Sequence, residues 1–205
     1  MPRTFKQNKE IKDQRKSDIL SESVALFAKY GYNNVTMENI AKATKCSRTL
    51  LYHYFSSKDD LLLAHKKICE EIFVKKINEL IKAYEPGEAF LKACNEFFIN
   101  VIYKGTTDSC YYLYLFTNGH FHINEIGNKS NNKDKTLLNY IKTSFNVYCE
   151  SKPNINKSEL KDQIKYYLLF IGSLATSHIQ YPKTFKERID PDSLFYSFFS
   201  LRKGD

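Results

Sequence analysis

Apolar residues recur three and four positions apart along most of the chain, the spacing of helices that bury one face. The first such run carries Ile19/Leu20, Ser23/Val24, Phe27 and Tyr30 and stops at Gly31, a helix C-terminal signal. Thr36 is placed to cap a second, short helix through Met37, Ile40, Ala41 and Ala43 or Thr44, with Glu38 in its first turn. Lys45-Cys46 reads as a break. Ser47 then caps a third helix, Arg48 to Phe55, and Ser57 a fourth with Asp59 and Asp60 in its first turn. That fourth pattern runs through Leu61/Leu62, His65, Ile68/Cys69, Ile72/Phe73, Ile77 and Leu80/Ile81 until Pro86-Gly87 stops it.

Further helices are expected from Phe90 to about Gly105, from Thr107 to Asn118, and at about 135–151, 157–181 and 191–202, punctuated by Pro153, Pro182 and Pro191. Residues 119–134 break the pattern. About nine helices, no strand and no internal repeat make this an all-α chain. Only 7 Gly and 5 Pro in 205 residues agree, since a many-stranded fold needs more turn residues.

Charge adds a partner class. The net charge is +8, and half of it, +4, lies in the first 60 residues. Such a concentration suits a polyanion, nucleic acid or a membrane surface. Residues 1–16 read as a polar arm carrying Arg3, Lys6, Lys9, Lys12, Arg15 and Lys16, with no apolar core of a signal peptide. No run of about 18 apolar residues is present to span a membrane. The five cysteines, Cys46, Cys69, Cys94, Cys110 and Cys149, form no C-x-x-C pair and are odd in number. They read as reduced thiols of a cytoplasmic protein.

Three short helices within residues 19–55, the last two joined by a tight turn, describe a helix-turn-helix, whose second helix enters the DNA major groove. The candidate recognition helix begins at Ser47 and offers Arg48, Thr49, Tyr52 and His53. Arginine reads guanine edges or phosphate, and hydroxyls and imidazole hold phosphate oxygens. Lys58 opens the next helix, and the basic arm is suited to the backbone or minor groove.

The ordered set Ile19-Leu20, Leu26-Phe27, Gly31-Tyr32, Thr36, Ile40-Ala41, Ser47, Leu51-Tyr52-His53-Tyr54-Phe55, Ser57-Lys58 and Leu61 closely resembles the DNA-binding domain of tetracycline-repressor-like (TetR family) bacterial transcription regulators. The resemblance covers about residues 15–65. It implies a DNA-binding domain at 1–57 and a helical effector-binding and dimerisation domain at 58–205. It implies that Thr36, Ser47, Arg48, Thr49, Tyr52, His53 and Lys58 face DNA, over a small core of Leu20, Phe27, Ile40, Leu51 and Phe55. Two positions depart from the family pattern. Lys45 stands where the family usually has Gly, which costs about 1 kcal/mol if φ is positive, and it places a cation beside DNA. Leu50 alters the recognition surface, so base specificity does not carry over.

The rest of the chain is dense in aromatics. Phe97, Phe98, Tyr111, Phe116, His120, Phe121, Tyr148, Tyr167 and Phe170 are candidates to line a pocket for an aromatic or amphipathic effector. His120-x-His122 lacks a shared helical face and any Cys or carboxylate companion, so no metal or other cofactor is expected. Leu160, Ile164, Leu168, Ile171, Ala175 and Ile179 form an apolar stripe in which Gly172 permits close approach. The last helix, with Leu194, Phe195, Phe198, Phe199 and Leu201, is apolar on more than one side. Together they read as a homodimer surface, which would also pair two recognition helices on two half-sites. The expected function is a ligand-responsive regulator, most simply a repressor released from its operator by a small molecule. The alternative is a helical small-molecule carrier or sensor with an unused DNA-binding head. No nucleophile–base order, phosphate loop or paired carboxylates suggest an enzyme.

Overall fold

The computed structural model describes residues 5–117, 133–151, 157–185 and 187–199. Every regular element among them is helical: α1 Phe5–Tyr30, α2 Met37–Ala43, α3 Arg48–Tyr54, α4 Lys58–Cys69, α5 Lys75–Ala83, α6 Glu88–Lys104, α7 Thr107–Thr117, α8 Lys133–Glu150, α9 Lys157–Gln180 and α10 Pro191–Phe199. A 3-10 turn, Tyr32–Asn34, follows α1, and a π-helical turn, Glu70–Val74, lies between α4 and α5. With α4, the π turn and α5 taken as the one long helix foreseen, nine helices are described. The chain divides into two compact units, Met1–Ile68 and Cys69–Asp205.

In the first unit the local signals act as expected. Gly31, at φ 79° and ψ 147°, takes a positive-φ extended conformation that suits glycine and ends α1. Thr36 caps α2 by accepting from the Asn39 backbone N–H at 3.1 Å, while the Asn39 side chain accepts from the Thr36 backbone N–H at 2.8 Å. Ser47 caps α3 by accepting from the Leu50 N–H at 3.1 Å, and Ser57 accepts from the Asp60 N–H at 3.0 Å. The core beneath is Ile19, Val24, Phe27, Val35, Ile40, Leu51, Phe55 and Leu61. Ile19 rather than Leu20 is the fully buried member of the pair, Leu20 being half-buried.

One expectation is corrected. Residues 5–16 are the first three turns of α1 rather than an irregular arm. Nothing between Phe5 and Tyr30 is Gly or Pro, and the segment is rich in Lys, Gln, Glu and Arg, all good helix formers.

The second unit is held by aromatic packing. Phe73 stacks on Phe116 at 4.9 Å and meets Phe97 at 6.0 Å, with Phe98 5.6 Å from Phe97. A second cluster joins Phe145, Tyr148, Tyr167, Phe195 and Phe199 at ring separations of 5.0 to 5.6 Å. Buried Asn95 ties three helices together: it accepts from the Tyr167 hydroxyl at 2.6 Å and donates to the Pro191 carbonyl at 2.6 Å. Cys69, Phe73 and Ile77 are all buried at four-residue spacing. Each such step over-rotates an α-helix by about 40°, and the wider π turn between them takes up part of that drift.

Candidate nucleic-acid interface

The candidate interface is built on α3. Leu51 and Phe55 are buried and fix one side of the helix. Arg48, Thr49, Leu50, Tyr52 and His53 are exposed on the other, with Tyr52 at 45%. An amphiphilic side chain so exposed on a seven-residue helix is not needed by the core. Arg48 also lies near Glu38, whose carboxyl is held below its ordinary range first by its ion pair with Lys42 at 3.1 Å and then by Arg48.

The turn before α3 is closed by two backbone bonds. The Lys45 N–H donates to the Lys42 carbonyl at 3.2 Å, and the Cys46 N–H to the Ala41 carbonyl at 3.0 Å. This is the paired bonding of a helix ended by a left-handed residue. That residue is Lys45, at φ 51°, the one non-glycine with positive φ among the described residues. Its side chain is exposed. Cys46 is half-buried, its sulfur 3.1 Å from the Thr44 hydroxyl.

Thr36 and Ser47 are exposed, each with its hydroxyl engaged as a cap. Lys58 differs from the simple expectation. Its ammonium donates to the carbonyls of Tyr32 at 2.9 Å and Val35 at 3.0 Å, and lies 4.2 Å from the Tyr32 ring centre. Two of its three donors thus serve the scaffold. The Tyr32 hydroxyl donates to Asp59, and burial followed by that bond pushes its pKa up to about 12.

Beneath the interface lies a feature not foreseen in the sequence. Ser23 on α1 and His65 on α4 are both buried, with Oγ and Nε2 2.8 Å apart. The Ser23 hydroxyl also lies 3.0 Å from the Leu20 carbonyl, to which it can donate. Burial lowers the His65 pKa to about 3, and the ring stays neutral, edge-on to Phe27 at 5.6 Å. The signal was present: Ser23 sits on the same helical face as Ile19 and Phe27.

The residues expected at an effector pocket fall into separate groups. Phe97, Phe98 and Phe116 come together around Phe73. Tyr148 and Tyr167 pack instead against Phe195 and Phe199, and Tyr111 is half-buried on α7. Phe170 is exposed, 5.2 Å from Phe198. His120 and Phe121 lie outside the described residues, as does His122. An open groove of about 440 Å³ on the first unit, lined by Leu26, Tyr30, Asn34, Val35, Asn39 and Lys42, contains none of them. Burial raises the thiols of Cys94 to about 12 and Cys110 to about 11. No group of three metal-ligating side chains occurs among the described residues.

The residues expected at a subunit surface sit largely on the inward sides of their helices. Ile171, Gly172, Ala175, Leu194 and Phe195 are buried within their own chain, while Leu168 and Phe198 are half-buried. The stripe through Leu168, Ile171 and Ala175 is the inward face of α9, packed on the chain's own helices. The outward face instead carries Tyr166, Leu169 and Phe170, with Tyr166 60% exposed.

Residues 19–65 match the sequence model of bacterial regulatory proteins of the tetR family. Over 85 residues the chain is 32% identical to an uncharacterized HTH-type transcriptional regulator, YuxN of Bacillus subtilis strain 168, covering 41% of this chain and 29% of that one. The chain spans less than a third of the length of the curated relatives it matches. Its fold is similar to that of a TetR-family transcriptional regulator from Bordetella parapertussis 12822, with a TM-score of 0.58, 16% identity, and 92% and 98% of the two chains covered. It is also similar in fold to AibR solved with isovaleryl coenzyme A and operator DNA, with a TM-score of 0.52, 15% identity, and 88% and 93% covered.

Proposed function

We propose that this chain, whose residues 19–65 match the tetR family of bacterial regulatory proteins, is a cytoplasmic, homodimeric, ligand-responsive repressor of transcription. The observation that carries this reading is the outward face of α3, where Arg48, Thr49, Tyr52 and His53 stand exposed on a helix locked by Leu51 and Phe55. Arg48 is assigned to a base edge or phosphate; Thr49, Tyr52 and His53 to phosphate oxygens. Lys45, Thr36, Ser47 and the remaining donor of Lys58 border that face. Residues 1–57 carry DNA recognition and 58–205 effector binding and dimerisation.

The second copy docks on the outward face of α9 through Tyr166, Leu169 and Phe170, apolar side chains that one chain leaves exposed. The effector is aromatic or amphipathic, held by the ring-rich second unit. The capture of isovaleryl coenzyme A and operator DNA by AibR, a protein of similar fold, supports a regulator of this type. Release follows from linkage: an effector that binds the DNA-free state more tightly weakens operator binding by the same factor.

The test is fluorescence anisotropy on duplexes selected by the protein from a random-sequence pool, against a scrambled duplex at low and physiological salt. Selective binding that survives salt supports the regulator. Equal, salt-erased binding to both duplexes refutes it and favours a carrier with an unused head.

A further inference from the structure

The basic N-terminal segment, being helical, has a direction and a face. At 3.6 residues per turn, Phe5, Lys9, Lys12 and Lys16 fall within an arc of about 60° on α1. Widened to about 80°, the same arc carries Ile19, Ser23 and Phe27, which are buried in the first unit. The face of α1 that packs inward over its second half therefore presents a row of lysines over its first. Asp13 borders the row about 40° beyond Lys9, while Glu10, Gln14 and Asp18 lie away from it, and Gln14 donates to Asp18 at 2.8 Å on the far side.

The row starts beside the recognition helix. An Arg15 guanidinium nitrogen lies 3.5 Å from the carbonyl of Thr44, in the turn that precedes α3. The Lys16 ammonium lies 5.8 Å from the ring centre of Phe55, which closes α3. From there residues 5–14 project for about 15 Å at 1.5 Å per residue. Lys9 and Lys12 are exposed along that projection. Flexible point charges repeated along one edge, with a mostly polar opposite face, suit a polyanion rather than an apolar groove or a lipid surface.

We infer that the first three turns of α1 are a second DNA-binding element, a helical rail whose Lys9 and Lys12 neutralise backbone phosphates beside those held by α3. This rests on the DNA-binding reading above and deepens it: the rail adds affinity without sequence preference and stays outside the minor groove.

The experiment compares the full-length chain with K9Q/K12Q on selected and scrambled duplexes across a salt series. Glutamine matches lysine in helix propensity, and equal far-UV ellipticity checks that α1 persists. The double variant is expected to bind every sequence more weakly and to keep its preference for the selected duplex. Its log K against log salt slope should fall by about 0.9 for each phosphate no longer neutralised. An unchanged slope overturns the rail. So does a loss confined to duplexes with one flanking sequence, which marks groove reading. A wild-type chain without preference for any selected duplex defeats the DNA-binding reading and the rail with it, and is distinguishable because it appears before any lysine is changed.

Discussion

The two units use their aromatic and polar side chains in opposite ways. In the first, each short helix begins at a side-chain cap, at Thr36, Ser47 and Ser57, and the chemistry-bearing residues stand outside the core. In the second, the residues expected to carry chemistry are mostly the core. Phe98, Phe116, Tyr148 and Tyr167 are buried among other rings, and Asn95 is buried as a cross-brace. A DNA interface is an outer surface on a small rigid scaffold, so its residues can be changed without unfolding it. The aromatic wall of a helical body is scaffold first, and any ligand it holds must be accommodated by the same rings.

The largest test of that contrast is Phe195→Ala. The ring is almost fully buried and touches Tyr148 and Phe199. Its loss should cost about 3–5 kcal/mol, read as a shift in the urea midpoint. A cost below 1 kcal/mol would show that the second unit is looser than its packing implies.

Arg48→Ala should do the reverse. The thermal midpoint should stay within experimental scatter, while affinity for the selected duplex falls by about 1–3 kcal/mol. A large drop in thermal stability without loss of binding would place Arg48 in the scaffold instead of the interface.

The buried His65 makes the first unit sensitive to acid. Its pKa is about 3 when folded and near the ordinary 6.5 when unfolded. Between those values the unfolded chain binds the proton more readily, so this contribution is full above pH 6.5 and is lost as the pH falls. About 2 kcal/mol should disappear between pH 7 and pH 5. His65→Leu should flatten that dependence, since Ser23 keeps its bond to the Leu20 carbonyl. A variant with the same slope in urea denaturation at several pH values would locate the acid sensitivity elsewhere.

The smallest effect separates stability from function at one residue. Lys45 holds φ 51°, where a side chain costs about 1 kcal/mol. Lys45→Gly should raise the stability by up to that amount and lower the salt slope of DNA binding by about 0.9 for each protomer of the dimer. A stability gain with an unchanged slope would mean that Lys45 touches no phosphate.

Legibility in the sequence followed the range of the interaction. Caps, breaks and the positive-φ turn at Lys45 are settled within four or five residues. The starts of α2 and α3 and the exposed side of α3 could therefore be read from Thr36, Ser47, Leu51 and Phe55. Contacts between distant residues could not. The Ser23–His65 pair spans 42 positions and the Asn95–Tyr167 bond 72.

Local pattern by itself determined an all-helical chain, its stops at Gly31 and Pro86-Gly87, and an outward-facing α3. The tertiary structure decided which apolar stripe of α9 faces inward, because a helix with two apolar sides gives no preference until its neighbours are placed. It also decided that Lys58 turns toward the Tyr32 and Val35 carbonyls, a choice set by acceptors more than 20 residues away. The basic start of α1 needed both. Its charge and spacing are in the sequence, but the buried face of Ile19, Ser23 and Phe27 fixes the side on which the lysines stand.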